Sequence, residues 1–343
     1  MSSQTPEQMM EYLYSLPEQF AHILKLDFSF SSRYQKSYKN IVVSGLGGSA
    51  IGGDILRTYT VSKAKIPVIV VRDYDIPGFV DQDTLFLAVS YSGNTEETLS
   101  AYIQARNRNA SIICITTGGK LRDLARQDGY TVVEIPFGLV PRAATGYLFA
   151  PLALLLEALG IIEGTRKEIE ETVMVLRQMR INLQAEVEIP SNQARVIARQ
   201  IKDSLPVIWG TAGISEVAAL RWKAQINENA KSPAFYNVFP ELNHNEIVGF
   251  EAPQPVLSSI SCIILRDRLD HERVKRRIEI SKEIIKDRVK HIIEVSSQGE
   301  SYLARFYSLV YIGDYASVYL ALEYGINPTP VAVIDYLKTE LAN

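Results

Sequence analysis

The sequence predicts an α/β protein made of two similar domains, each built on a doubly wound parallel sheet. In the first half, short apolar runs rich in β-branched residues alternate with polar stretches of helical pattern. Continuous apolar runs are typical of strands buried on both faces of a parallel sheet, and their alternation with helices indicates a doubly wound layer. The predicted strands are IVVSG (41–45), PVIVV (67–71), TLFLAVS (84–90), SIICIT (111–116) and YTVVEIP (130–136).

The second half repeats this order as a weak internal repeat. Gly45 and Gly48, which follow the first predicted strand, lie 165 positions before Gly210 and Gly213, and SIICITTGG lies 180 positions before HIIEVSSQG. Self-similarity of this kind indicates a duplicated structural unit. The apolar runs of the second half are PVIWG (206–210), SISCIIL (259–265), HIIEVSS (291–297) and LVYIGDYASVYLALEYG (309–325).

Domain boundaries follow from the connecting segments. A glycine-bearing stretch at 160–164 predicts a linker, and the charged stretch 165–188 after it has a helical pattern. A further helix is predicted over 331–341, at the end of the second half. We therefore expect one domain over 1–160 and another over 165–343.

Composition and charge narrow the function classes. At about 150 residues per domain, 343 residues allow roughly two domains. The 36 basic and 39 acidic residues give a net charge of −3, which attracts neither nucleic acid nor an anionic membrane. The longest apolar run, 147–156, is too short to span a bilayer. Cys114 and Cys262 lie in separate apolar runs, so we expect buried strand thiols in a reducing cytoplasm.

The segment after the third predicted strand carries the strongest sign of a ligand site. Ser90, Ser92 and Thr95 surround Gly93 in SYSGNTEET (90–98), where a strand gives way to a helix. Free N–H groups and the helix dipole favour an anion at such a helix start, and the hydroxyls add donors. Helix capping alone needs one hydroxyl rather than three. Because the segment lacks the lysine and spacing of a nucleoside-triphosphate loop, it predicts a small-anion site.

The matching loop of the second half is different. After SISCIIL the sequence is RDRLDHER, which is charged and lacks the small hydroxyl residues. This asymmetry is typical of a duplicated fold in which one copy keeps a working anion site.

A glycine-rich loop, GLGGSAIGGD (45–54), follows the first predicted strand. Gly45, Gly47 and Ala50 match the GxGxxA form of a dinucleotide-binding turn, and Asp73 after the next strand would be the ribose-binding acid. Five glycines within nine residues exceed what that turn needs. The hydroxyl-bearing loop two strands along would flank the same small ligand, so dinucleotide binding stays as the weaker alternative.

Four further motifs make a family resemblance specific. GLGGSAIGGD and SYSGNTEET resemble the sugar isomerase (SIS) domain, which has a flavodoxin-like fold. PRAATGY (141–147), NENAKSP (227–233), ELNHNEIVGF (241–250) and DYLKTEL (335–341) extend the resemblance over essentially the whole chain. The complete set is similar to the bifunctional phosphoglucose/phosphomannose isomerases.

The resemblance implies a hexose 6-phosphate as the substrate and assigns the binding residues by motif. Ser90, Ser92 and Thr95 would hold the 6-phosphate, and Gly48 and Ser49 would line the sugar. The family implies no cofactor. No metal is expected either, because the scattered histidines and cysteines have no metal-ligand spacing.

The resemblance also implies four catalytic side chains. Glu228 would be the base that moves a proton between C1 and C2 through a cis-enediol(ate), and a carboxylate suits that transfer. Arg142 would stabilise the enediolate charge, and His244 and Lys338 would serve ring opening. In similar enzymes the active site lies at a homodimer interface, with the histidine supplied by the partner subunit.

The leading hypothesis is thus a cytoplasmic, metal-independent isomerase. It would interconvert glucose 6-phosphate with fructose 6-phosphate, and mannose 6-phosphate with fructose 6-phosphate. One alternative is a non-catalytic sugar-phosphate sensor, which would use the hydroxyl-bearing loop but need no base at Glu228. The other is a dinucleotide-dependent oxidoreductase.

Overall fold

A computed structural model describes residues 5–341, and within this range the chain forms nine β-strands. The first half contributes β1 (Asn40–Ser44), β2 (Val68–Val71), β3 (Thr84–Val89), β4 (Ser111–Thr116) and β5 (Thr131–Glu134). The second half contributes β6 (Leu205–Thr211), β7 (Phe235–Phe239), β8 (Ile260–Arg266) and β9 (His291–Ser296).

Thirteen α-helices accompany these strands in the same range. They are α1 (Pro6–Tyr14), α2 (Leu16–Ile23), α3 (Gly48–Thr60), α4 (Glu96–Asn107), α5 (Gly119–Gln127), α6 (Thr145–Ala158), α7 (Thr165–Leu183), α8 (Gln193–Ile201), α9 (Glu216–Ala230), α10 (Gln254–Leu257), α11 (Glu272–Ile285), α12 (Tyr302–Glu323) and α13 (Ala332–Leu341). Short 3₁₀ turns cover Ser29–Tyr34, Pro141–Ala143, Ile189–Ser191, Glu241–His244 and Glu246–Glu251.

The strands form two sheets of matching topology. The strand order is β2-β1-β3-β4-β5 in the first sheet and β7-β6-β8-β9 in the second. Every strand pair is parallel; in the first sheet, for example, Val43 pairs with Val70 on one side and Leu87 on the other. The predicted fold class is confirmed, and the internal repeat aligns β1 with β6 and β4 with β9.

Two features of the second half differ from the sequence pattern. Strand β7 is absent from the predicted strands because it lies at the sheet edge, where Phe235 and Tyr236 are exposed and no continuous buried run forms. The apolar run 309–325 lies mostly in α12, a helix buried on nearly all sides, so no polar stripe marks it as helical.

The chain divides into two compact units. We call residues 15–174 with 300–304 the first-sheet unit, and residues 5–14 with 175–299 and 305–341 the second-sheet unit. The sequence instead places the division near 160–164. The predicted domains 1–160 and 165–343, which include the undescribed residues 1–4 and 342–343, therefore stay a prediction.

Each sheet buries its own apolar core. Cys114 in β4 and Cys262 in β8 belong to these cores as unbridged thiols, as predicted, and burial raises the pKa of each thiol. Between residues 5 and 341, no helix combines the length and apolar character needed to cross a membrane.

Candidate active site

The loop between β3 and α4 carries three hydroxyl side chains at a helix start. Ser90 is buried, and its Oγ lies 2.9 Å from Thr95 Oγ1. The Gly93 N–H donates to Ser90 Oγ at 3.1 Å, and the Asn94 N–H donates to the exposed Ser92 Oγ at 3.2 Å. Because these serine oxygens accept from the backbone, the hydroxyl protons that remain are suited to donate to an anion.

Thr95 occupies the N-cap position of α4 but makes no capping hydrogen bond with its side chain. Its hydroxyl pairs with Ser90 instead. Capping therefore does not account for this hydroxyl, and the first N–H groups of a 12-residue helix stay available to a ligand.

The shape of this loop depends on Gly93. Its φ is +69°, and a Cβ there would lie 1.8 Å from the Gly118 carbonyl oxygen. The loop after β4 supports it, because Leu121 N donates to Gly93 O at 2.9 Å and Lys120 N donates to Asn94 Oδ1 at 3.1 Å. The hydroxyl-bearing loop is thus held by its neighbour in the same sheet.

The glycine-rich loop after β1 contacts the hydroxyl-bearing loop. Ser49, in the first turn of α3, accepts a hydrogen bond from Tyr91 N at 3.3 Å. Both loops follow the carboxyl ends of adjacent parallel strands. Ser49 is also buried, which adds a third serine hydroxyl to the same edge of the sheet.

Arg142 lies against this edge. It belongs to the 3₁₀ turn Pro141–Ala143 and is only 5% exposed, whereas a loop arginine is ordinarily solvated. A Cβ on Gly48 would lie 2.7 Å from the Pro141 carbonyl oxygen and 3.5 Å from Arg142 Cα. Glycine at position 48 therefore permits the close approach of the arginine turn.

Gln19 holds the arginine turn and is a residue that sequence reasoning missed. It is buried, its Nε2 donates to Ala143 O at 2.8 Å, and its Oε1 accepts from Gly146 N at 3.1 Å. The only sequence signal is a glutamine on the buried face of α2.

Glu228 lies in the last turn of α9, in the second-sheet unit. The helix begins after Ser215. The side chain is half-buried and lines a cavity of about 560 Å³. The cavity is also lined by Asn227 of the same helix, by Lys231 and its neighbours in the turn after α9, and by residues 330–334.

A buried polar contact with α12 fixes the rotation of α9. Arg221 donates to Asp314 at 3.0 and 2.7 Å, Gln225 donates to Asp314 at 2.9 Å, and Asn229 donates to Ser317 Oγ at 2.9 Å. The three donors recur every four residues and share one helix face. Burial raises the pKa of Asp314, and the Arg221 guanidinium opposes that rise.

His244 ends the 3₁₀ turn Glu241–His244 and is exposed. Its neighbours are anchored: Asn243 donates to a serine of α11 at 2.8 Å, and Glu246 accepts from Trp209 Nε1 at 2.7 Å. The anchored flanks present the imidazole at the surface. Sequence reasoning missed Glu246, whose only signal is its place in the motif around His244.

Lys338 lies on α13, the predicted terminal helix, which has no buried residue between Ala332 and Leu341. It does not line the cavity beside Glu228.

The structure thus brings Gly48, Ser49, Ser90, Thr95 and Arg142 to one edge of the first sheet, with Ser92 on the same loop. The candidates of the second-sheet unit lie on three separate elements, which are α9, the 3₁₀ turn and α13. In the described range, no group of three or more His, Cys, Asp and Glu side chains is arranged to hold a metal ion. The roles of the individual residues stay predictions.

Comparison with known families gives two matches. Residues 190–341 match the model of the bacterial phospho-glucose isomerase C-terminal SIS domain, and residues 36–135 match the SIS domain. The two matches divide the chain between its two sheets.

Solved structures share the fold at low sequence identity. A hypothetical protein from Thermus thermophilus aligns with a TM-score of 0.76 and 15% identity, covering 97% of this chain and 89% of that one. The C-terminal domain of glucosamine-fructose-6-phosphate aminotransferase from Francisella tularensis aligns with a TM-score of 0.70 and 15% identity, covering 94% and 98%. At such identities the likeness concerns the fold alone.

Sequence relatives are much more similar. A protein of Caldicellulosiruptor bescii named bifunctional phosphoglucose/phosphomannose isomerase is 50% identical over 335 residues, covering 97% of this chain and 99% of the relative. Its namesake from Aquifex aeolicus is 36% identical over 333 residues, with coverage of 97% and 99%. A D-glucosamine-6-phosphate 4-epimerase of Sulfolobus acidocaldarius is 29% identical over 309 residues, covering 90% and 91%. The chain belongs to the family of bifunctional phosphoglucose/phosphomannose isomerases.

Proposed function

We propose that this protein interconverts glucose 6-phosphate with fructose 6-phosphate, and mannose 6-phosphate with fructose 6-phosphate, in one active site. The observation that carries the proposal is the N-terminus of α4, where Thr95 pairs with Ser90 instead of capping the helix. Together with family membership, this open set of donors supports a phosphorylated sugar as the ligand.

The 6-phosphate would be bound by Ser90, Ser92 and Thr95 and by the first N–H groups of α4, and Gly48 and Ser49 would line the sugar. Hydroxyl and amide donors, together with the positive end of the helix dipole, suit a dianion without requiring a lysine. This end of the sugar would be fixed while C1 and C2 stay free to turn about the C2–C3 bond.

The chemical step would be a proton transfer by Glu228. Its carboxylate takes the C2 proton of the open-chain aldose, and the electron pair forms a cis-enediol(ate) as the C1 carbonyl gains negative charge. Return of the proton to C1 gives the ketose, and the remaining hydroxyl proton passes between O1 and O2. The step is redox-neutral and needs no external oxidant or reductant. The buried Arg142 guanidinium would stabilise the enediolate oxygen.

One base suffices for both epimers. Glucose 6-phosphate and mannose 6-phosphate differ only at C2, and removal of the C2 proton erases that difference. Rotation about C2–C3 then presents either face to the same carboxylate. His244 and Lys338 would transfer protons during ring opening, since an imidazole can both accept and donate a proton.

We further propose that the enzyme is a cytoplasmic homodimer in which His244 serves the partner subunit's site. The exposure of His244 on an anchored turn supports a role at an interface. Mixing His244→Ala subunits with Glu228→Gln subunits tests this arrangement. Activity restored by hybrid dimers supports it, and no rescue after verified subunit exchange contradicts it.

The deciding experiment is a coupled assay with fructose 6-phosphate in the presence of EDTA, following glucose 6-phosphate and mannose 6-phosphate separately. We expect kcat/KM values for the two epimers within about tenfold, a barrier difference of at most ~1.4 kcal/mol. Glu228→Gln should lower kcat about 10³-fold for both and still bind a 6-phosphate inhibitor. Glu272→Gln, on an exposed face of α11, is the matched control and should retain full activity.

Three outcomes would overturn parts of the proposal. Turnover of one epimer alone rejects the dual specificity. Inhibitor binding without turnover in the wild type indicates a sugar-phosphate sensor. Because one relative bears the name of a 4-epimerase, glucosamine 6-phosphate belongs in the assay, and its preferred conversion would reassign the reaction.

A further inference from the structure

Lys231 has a backbone conformation that its residue type disfavours. It directly follows α9 with a φ of +55°. In the described range, the other non-glycine residues with positive φ are Asn109 and Asp203. Asparagine and aspartate tolerate this region through local hydrogen bonds of their short side chains, but lysine has no such compensation. Glycine is the usual residue where a helix ends in this way.

The ammonium of Lys231 joins two segments that are distant in sequence. Its Nζ donates to the Glu228 carbonyl oxygen at 2.5 Å and to the Pro328 carbonyl oxygen at 3.1 Å. A cation at the carboxyl end of a helix is favoured by the helix dipole. Lys231 thus ties the last turn of α9 to the segment that leads into α13.

The second of these segments is itself fixed. Pro328 and Thr329 are buried, and the Thr329 N–H donates to Asn327 Oδ1 at 3.0 Å. The Thr329 hydroxyl donates to Thr5 O, also at 3.0 Å. Residues 330–334, which follow directly, line the cavity together with Glu228. The lysine therefore joins the turn that carries Glu228 to an anchored wall of the same cavity.

We propose that Lys231 is a positioning residue, whose ammonium clamps the Glu228 turn to Pro328 and so holds the Glu228 carboxylate in place. The inference rests on the proposed role of Glu228 as the base. It explains why a lysine occupies a position whose backbone favours glycine, since strained conformations persist where a side chain has a separate use.

Two substitutions separate the effect of the Lys231 ammonium from the effect of the strained backbone at this position. Lys231→Gly and Lys231→Asn both suit a positive φ and remove the ammonium. We expect kcat to fall about 10–100-fold, because misplacing a reacting group by about 1 Å costs that much. KM should change little, and the thermal midpoint should stay the same or rise. Lys231→Arg, which keeps a cation, should recover most of the lost kcat.

A different result would overturn the proposed clamp. A lysine that merely ends the helix predicts that Lys231→Gly gains stability at unchanged kcat, and this outcome overturns the clamp. Asp203→Gly is the matched control, because Asp203 has the same φ of +55° in the same unit but lies before β6. It should leave kcat unchanged.

Parallel measurement of Glu228→Gln distinguishes the two proposals. If Glu228→Gln loses turnover while Lys231→Gly keeps it, only the clamp fails. If Glu228→Gln keeps turnover, the base assignment fails, and the clamp fails with it.

Discussion

The loop after β3 and the loop after β8 occupy equivalent positions in the two sheets, but the first carries hydroxyl groups and the second carries a carboxylate. The first presents the hydroxyls of Ser90, Ser92 and Thr95 beside the start of α4. The second places a carboxylate there: Asp267 accepts from Leu269 N at 2.8 Å and from Arg305 Nε at 3.0 Å.

This difference suggests how one copy of a duplicated fold gives up an anion site. Asp267 also accepts from the Ser297 hydroxyl at 2.9 Å, so its carboxylate uses the backbone, hydroxyl and guanidinium donors that a phosphate would need. Both Asp267 and Arg305 are buried. The second-sheet unit carries an internal anion, whereas the corresponding donors of the first-sheet unit are the ones we propose for the phosphate.

The largest effect is expected from removing the internal anion. Asp267→Asn removes the carboxylate charge that pairs with the buried Arg305, which should lower the free energy of unfolding by about 3–5 kcal/mol. Urea unfolding followed by tryptophan fluorescence measures the free energy of unfolding of the second-sheet unit selectively. Both tryptophans of the protein, Trp209 and Trp222, lie in that unit.

The control for this variant is Glu283→Gln, on α11 of the second-sheet unit, so the same two tryptophans report on it. The ion pair of Glu283 with Lys286 is exposed, with 71% of the Glu283 side chain accessible, so the expected change is below about 1 kcal/mol. Similar losses in the two variants would show that the Asp267 pair is not a special buried anion site.

A smaller, functional effect is expected in the hydroxyl-bearing loop. Ser92→Ala and Thr95→Ala each remove a donor to a charged group, worth roughly 1.5–3 kcal/mol, which raises KM about 10–100-fold. Steady-state kinetics with either epimer checks this, and tryptophan-detected unfolding should not change.

Ser297→Ala is the reciprocal control, because Ser297 serves the internal carboxylate. It should destabilise the second-sheet unit without altering KM. A rise in KM for Ser297→Ala, or unchanged KM for both Ser92→Ala and Thr95→Ala, would contradict the contrast between the loops.

The smallest effect concerns Asp270, whose Oδ2 accepts from Asp267 N at 2.9 Å. Burial raises the pKa of this carboxyl above its ordinary value. A raised folded-state pKa favours the fold below the unfolded pKa, and this contribution is lost as pH rises through the folded pKa. Asp270→Asn should therefore be more stable than the wild type at pH 7, by about 0.5–1 kcal/mol. The difference in the free energy of unfolding between the two proteins should disappear on acidification. A difference that is independent of pH would exclude titration of Asp270 as its source.

The buried strands, though not the edge strand β7, and the hydroxyl-bearing and glycine-rich loops that follow two of them could be predicted because their signals are local. The hydroxyls from Ser90 to Thr95 stand within six residues, and each buried strand is one apolar run. Parallel order then brings the ends of adjacent strands to the same edge.

The supporting contacts could not be predicted, because their partners are remote in the chain. Gln19 holds Ala143 across 124 positions, and Lys231 reaches Pro328 across 97. The pairing of Arg305 with Asp267 spans 38 positions between a helix and a loop. No local pattern encodes such pairs, and only the folded topology selects them.

The position of α1 bears on how the protein is made. This helix belongs to the second-sheet unit, where Leu13 O accepts from the Tyr311 hydroxyl at 2.9 Å across 298 positions of chain. The first-sheet unit likewise includes residues 300–304. On the ribosome, α1 must wait for nearly the whole polypeptide before it meets its partner. The second-sheet unit can therefore be completed only after residue 311 has been synthesised, close to the end of translation.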